Sequence, residues 1–110
     1  METAIAKLSM YRQSPRKVRL VVDAIRGKKV SEALEILRFA DKRAAGPIEK
    51  LVNSALANAK DKGIKEEGLV VSKITVDGGS ILYRRRARAR GNANPIRKRT
   101  SHISLVLSAK

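Results

Sequence analysis

Apolar positions along the chain change their period several times, and each change marks an element. From Thr3 to Tyr11, Ala4, Ala6, Leu8 and Met10 alternate with Lys7 and Ser9, although Ile5 blurs the pattern. Period two is the repeat of a half-buried strand. After Ser14-Pro15 the repeat becomes helical: Val18, Val21, Val22 and Ile25 fall at i, i+3, i+4 and i+7. Ser14 offers an N-cap hydroxyl, Pro15 suits the first helical position, and Gly27 suits the left-handed residue after the last turn. A second, short helix is expected over Glu32–Ala40, capped by Ser31, with Leu34, Leu37 and Phe39 inward. A third is expected to become regular near Pro47, because proline belongs in a first turn. Its stripe runs Ile48, Leu51, Val52, Ala55, Leu56 and Ala59, and Gly63 ends it. The small residues Ala55, Ala57 and Ala59 permit close packing, so this helix reads as the core helix.

Two further strands follow. Leu69–Asp77 is nearly all apolar or β-branched, and Thr100–Ser108 sets Ile103, Leu105 and Leu107 on one face and His102, Ser104 and Val106 on the other. The fold class is therefore α+β: a three-stranded antiparallel sheet packed on three helices, with a long basic β-hairpin extension. One domain covers residues 1–110, with a body at 1–79 and 99–110 and a protruding hairpin at 80–98.

The hairpin is predicted by a single stretch, Gly78–Arg99, which holds seven Arg, one Lys and no acid. Arg84, Arg86, Arg88 and Arg90 alternate with Arg85, Ala87 and Ala89. As a strand, that places guanidinium groups on one face and mostly methyl groups on the other. Gly91-Asn92-Ala93-Asn94-Pro95 supplies turn chemistry, and Pro95 is expected to end regular pairing. Arms of ~10 residues could reach roughly 30 Å. A turn centred on Gly91-Asn92 would set Arg84 opposite Arg99, Arg85 opposite Lys98 and Arg86 opposite Arg97. Like charges directly opposite destabilise a strand pair. Such an arm is poorly made for water and suits a polyanion, whose phosphates match the bidentate arginine fork. The plainer reading is a solvated basic loop, which the alternation and the flanking strands disfavour.

Charge sharpens the picture. The chain carries 25 Lys and Arg against 10 Asp and Glu, a formal net charge of +15. Residues 1–77 carry sixteen basic and ten acidic groups, whereas residues 78–110 carry nine basic and none acidic. A field of this sign attracts nucleic acid or an anionic membrane. Membrane is the weaker choice, since no apolar run approaches ~20 residues. The N-terminus lacks the basic and apolar regions of a signal peptide, so a cytoplasmic location is expected. With no Trp, one Phe and two Tyr, base stacking on aromatic platforms is disfavoured.

Candidate contacts in the body are Arg12, Arg16, Lys17 and Arg19, which crowd the first turn of the first helix where the dipole disfavours cations. An external anion at that helix end would reconcile them. Lys28 and Lys29 form a basic connection. With Arg84, Arg85, Arg86, Arg88, Arg90, Arg97, Lys98, Arg99 and His102 they complete the expected RNA-binding set. Catalysis is not expected. His102, the only histidine, has no Cys, Asp or Glu near it in sequence, and Glu66-Glu67 is an adjacent loop pair rather than a spaced acid and base. Gly78-Gly79-Ser80 lacks the ending and following helix of a phosphate loop. No Cys is present to bind a metal, and neither metal nor cofactor is expected.

Five segments in order carry a resemblance. They are Ser14-Pro15-Arg16-Lys17-Val18-Arg19-Leu20-Val21, Ile25-Arg26-Gly27-Lys28, Ser54-Ala55-Leu56-Ala57-Asn58-Ala59, Arg88-Ala89-Arg90-Gly91 and Lys98-Arg99-Thr100-Ser101-His102-Ile103. Over essentially its full length the chain resembles the bacterial large-subunit ribosomal proteins of family twenty-two. The resemblance implies a structural protein that binds 23S ribosomal RNA and assists its assembly, with its body on the subunit surface and its hairpin threaded inward. It further implies a tip of Arg88, Ala89, Arg90, Gly91, Asn92 and Ala93 at the narrowing of the nascent-peptide exit tunnel, opposite ribosomal protein family four. Ala87 stands where that family commonly has Pro, Asn92 where it commonly has Arg, and Pro95 near a customary Arg. The competing reading is a free-standing nucleic-acid architectural protein with a basic β-arm. Such arms usually carry an apolar wedge at the tip, and this one offers Ala and Asn.

Overall fold

The computed structural model describes residues 3–65, 67–87 and 93–109, the side chains of 82–97 and of Ala109 excepted. In chain order the elements are β1 (Thr3–Tyr11), α1 (Pro15–Ile25), α2 (Val30–Phe39), α3 (Ala45–Asp61), β2 (Leu69–Gly78), β3 (Leu82–Ala87), β4 (Ala93–Lys98) and β5 (Ser101–Ala109). Three strands form an antiparallel sheet in the order β1-β5-β2, and β3 pairs with β4 in a separate ribbon. This is the expected α+β architecture, hairpin extension included.

The central strand is the last in sequence. Ile103, Leu105 and Leu107 of β5 are at most 1% exposed, which is why β5 can be flanked on both sides. Ala4 and Ala6 of β1, with Val71, Ile74 and Val76 of β2, continue the buried face. The helices cover it. Val18, Val21, Val22 and Ile25 form the α1 stripe, and Ile48, Leu51, Val52, Ala55, Leu56 and Ala59 the α3 stripe, as the periodicity requires. The small residues Ala4, Ala6, Ala55 and Ala59 lie on facing elements and let α3 lie close to β1.

Each buried large aliphatic side chain contributes about 1.5–3 kcal/mol. The sheet alone would still expose two edges ready to pair with another chain. Both are occupied by hydrogen bonds from the helical layer. On β1, Asn58 Nδ2 donates to the Ile5 carbonyl at 2.8 Å and Lys62 Nζ to the Thr3 carbonyl at 3.1 Å. On β2, Arg19 Nη2 donates to the Val76 carbonyl at 2.9 Å and Arg26 Nη2 to the Ile74 carbonyl at 3.0 Å. The turn after α1 closes the rest: the Gly27 N–H donates to the Val71 carbonyl at 3.0 Å, and the Val71 N–H to the Lys28 carbonyl at 2.9 Å. Gly27 turns there with φ +77°, a conformation that costs a residue without Cβ little.

Several local expectations are corrected. Ser14 is the N-cap of α1, but its hydroxyl makes no cap hydrogen bond. Helix α2 starts at Val30 with Lys29 as its N-cap, because the Ala33 N–H closes the first turn on the Lys29 carbonyl; Ser31 is already inside. Phe39 points outward, 83% exposed. The buried stripe of α2 is Val30, Ala33 and Leu37, and a residue two beyond Leu37 falls ~200° round the helix. Ala57 is exposed while its neighbours Ala55 and Ala59 are buried. Helix α3 begins at Ala45, two residues earlier than expected, with Pro47 in its first turn where the missing N–H has no partner to lose.

The largest correction concerns the arm. The observed ladder is Leu82↔Lys98, Tyr83↔Arg97, Arg84↔Ile96, Arg85↔Pro95, Arg86↔Asn94 and Ala87↔Ala93. It is offset by three residues from a register centred on Gly91-Asn92. No pair in it sets two cations opposite each other, so the offset removes the like-charge repulsion of the expected register. Pro95 lies inside β4 instead of ending it, which a two-stranded ribbon tolerates because both strands are edges. The main neighbours of β3 and β4 are each other. The radius of gyration is 17.1 Å, against about 13 Å for a compact chain of this length, and the principal extents are 63 × 25 × 17 Å.

Candidate nucleic-acid interface

The arm leaves the body through a root built from buried polar groups. Thr100 and Ser101 are 1% and 0% exposed, and each hydroxyl is used. Thr100 Oγ1 donates to the Ser80 carbonyl at 2.6 Å, and Ser101 Oγ to the Gln13 carbonyl at 2.6 Å. The Gly79 N–H donates to the Thr100 carbonyl at 2.9 Å. A Cβ on Gly79 would stand 2.5 Å from Thr100 Oγ1 and 3.0 Å from His102 Nε2, so the segments that join β2 and β5 to the arm approach this closely only through glycine. On the other side, β1 bulges between Leu8 and Tyr11, and Met10 takes φ +55°, rare for a residue with a side chain. Its N–H donates to His102 Nδ1 at 3.1 Å. An accepting Nδ1 puts the ring proton on Nε2. His102 is thus tied into the root through Nδ1, half-buried beside Gly79.

Around this root the fold gathers cations from four places. Arg12, Gln13, Ser14, Lys17, Arg43, Lys98 and Arg99 line one open cleft of about 450 Å³. Its five cations are all exposed, and among the described residues none of them has a hydrogen-bonding or carboxylate partner. No acid lines it. Helix α1 starts at its rim, with no acidic residue in the first turn.

The expected site residues therefore divide. Arg12, Lys17, Lys98 and Arg99 come together at the root. Arg16 is exposed on α1 close by in sequence. Arg19 is turned to another task, bracing the β2 edge at Val76. Lys28 and Lys29 lie beside Val70 and Val71, at the opposite end of β2 from Gly78. Seven residues of strand separate Val71 from Gly78, roughly 23 Å. Arg84, Arg85, Arg86 and Arg97 are placed by the backbone of the ribbon. Arg88, Ala89, Arg90, Gly91 and Asn92 lie outside the described residues, and Ala93 opens β4. Sequence reasoning missed Arg43 and Gln13. Arg43 precedes α3, thirty-one positions from Arg12, and no spacing rule joins them.

Among the described residues no group of acids and histidine could hold a metal ion, and no helix is long and apolar enough to cross a membrane. Fold and site define a basic structural protein: a small α+β body that presents unneutralised cations at the root of a two-stranded arm. The ribosomal protein L22p/L17e family model matches residues 6–108. The chain is similar to the large ribosomal subunit protein uL22 of Syntrophotalea carbinolica, at 54% identity over 97% of this chain and 98% of that one. It is also similar to the uL22 proteins of Geobacter sulfurreducens, at 52% identity over 97% of each chain, and Streptococcus pyogenes, at 48% over 100% of this chain and 97% of the other. The chain belongs to the L22p/L17e family of ribosomal proteins. Its role is structural and not enzymatic, as is that of the family.

Proposed function

We propose that the protein is a constituent of the large ribosomal subunit in the cytoplasm, where it binds 23S ribosomal RNA, helps that RNA fold during assembly and lines the nascent-peptide exit tunnel with the end of its arm. In this reading the body lies on the subunit surface, and the arm runs inward among phosphates. Its far end, around Arg88–Ala93, borders the path of the nascent peptide, across from ribosomal protein family four. Binding works by charge neutralisation and shape. Phosphate contacts position a protein without reading sequence, so base selectivity is minor.

The observation that carries this reading is the arm itself. Residues 78–99 hold eight cations and no acid, yet the described strands Leu82–Ala87 and Ala93–Lys98 within them pair as a ribbon in a register free of opposed cations. A ribbon so charged and without a core of its own acquires its counter-charge from outside the molecule.

The test is the salt dependence of binding to 23S ribosomal RNA. The logarithm of affinity should fall linearly with the logarithm of salt concentration. Replacing Arg84, Arg85 and Arg86 by Gln should lower that slope by roughly 2, three cations at about 0.7 each. A nearly flat dependence for the native chain, or a chain that does not migrate with large subunits in a ribosome gradient, defeats the proposal.

A further inference from the structure

The cleft at the arm root combines features that neither charge nor family membership explains. Five cations from separate parts of the chain converge on about 450 Å³ with no acid among the lining residues. Gln13 lies among them, and its Oε1 is buried without a hydrogen-bond partner. A buried acceptor left unmatched is costly. Gln13 also lines the cleft, and its side-chain amide carries N–H donors of the kind an anion accepts from. The N–H groups at the start of α1 point the same way in electrostatic terms, since the Ser14 hydroxyl caps none of them and no acid occupies the first turn.

We infer that this cleft is a phosphate clamp: it grips a short run of RNA backbone and thereby fixes the angle of the arm to the body. The inference rests on the ribosomal reading above and adds a site to it. Lys98 and Arg99 belong to the outgoing end of the arm, whereas Arg12, Lys17 and Arg43 belong to the body. An anion held between them is the counter-charge for both parts. Removing it leaves like charges facing across the joint. The clamp names Arg43 and Gln13 as contact residues, and it separates them from Lys28 and Lys29 at the far end of β2. The RNA segment it takes is defined by backbone and not by base identity, because phosphate is the chemistry that matches.

Two measurements on the full chain decide it. In the first, affinity for 23S ribosomal RNA is measured for Lys17→Gln, Arg43→Gln, the double variant and Lys73→Gln, an exposed cation on β2 away from the cleft. Each cleft variant should lose about ten-fold. The double variant should lose less than the product, because the two groups share one ligand. Lys73→Gln should lose at most about two-fold. Equal losses for Arg43→Gln and Lys73→Gln, with steep salt dependence retained, overturn the clamp and leave the ribosomal reading standing. In the second, the chain is titrated with inorganic pyrophosphate and followed by NMR. Saturable shifts should concentrate on the Gln13 side-chain amide and on the backbone amides of Arg16 and Lys17. Shifts spread evenly over all exposed cations overturn the clamp even if the native chain fails to bind RNA, an outcome that would defeat the ribosomal reading separately.

Discussion

The body and the arm are both antiparallel β-structure, yet they are stabilised in opposite ways. In the body, β5 is flanked on both sides, its inward residues are sealed under three helices, and the free edges of β1 and β2 are capped by Asn58, Lys62, Arg19 and Arg26. In the arm, β3 and β4 have each other and little else. Both of its edges are open, and its stabilisation comes from a register that keeps cations from facing one another. A ribbon of two strands is at best marginal in water. The difference teaches where each region finds its support: the body is held by burial and sealed edges, whereas the described strands of the arm are held only by pairing with each other.

The largest test of that contrast compares one side chain from each region. Leu105→Ala, at the fully buried centre of β5, should cost about 3 kcal/mol in urea denaturation. Ile96→Ala, in β4, should stay within about 0.5 kcal/mol. Comparable costs would mean that the arm possesses a core. Next comes the joint between the regions. Gly79→Ala drives a methyl group against Thr100 Oγ1 and should cost about 2 kcal/mol, read as a drop of several degrees in Tm for a domain this size. A neutral result would show a root less tightly closed than its hydrogen bonds indicate.

A smaller effect tests the sealed edge. Asn58→Ala removes the donor to the Ile5 carbonyl and should cost about 1 kcal/mol, with an unchanged denaturant slope. The smallest concerns the arm register. Ile96→Arg sets a second cation opposite Arg84 and should weaken the ribbon by about 0.2–1 kcal/mol, partly relieved by salt. Amide exchange at Arg84–Arg86 is the readout. Unchanged exchange would point to a different pairing.

Much of the body was legible because its elements are periodic. The stripes of α1 and α3 and the alternation of β5 each bury one face, and burial follows period almost residue for residue. Local polar choices were not legible. Ser14 and Ser31 look like hydroxyl caps, but the first turns of α1 and α2 close on the backbone carbonyls of Ser14 and Lys29, and neither helix uses a side-chain cap. Phe39 looks like core until the phase of α2 is fixed by Val30, Ala33 and Leu37. For the interface, the arginine arm was evident as composition. Its register was not, because turn residues at Gly91-Asn92 and charge repulsion across the ladder favour different pairings, and the structure adopts the pairing that separates charge.

The amino-acid order alone therefore determined the element sequence, the buried faces, the basic arm and the family, since each is written in period, local turn chemistry or motif. Only the folded chain decided the cluster at the arm root. Arg12, Arg43 and Arg99 are brought together by the packing of helices on a sheet whose central strand comes last, and contacts between residues so distant in sequence leave no local pattern to read. For the same reason Arg19 and Arg26, which look like two more exposed cations, are hydrogen-bonded to the edge of β2.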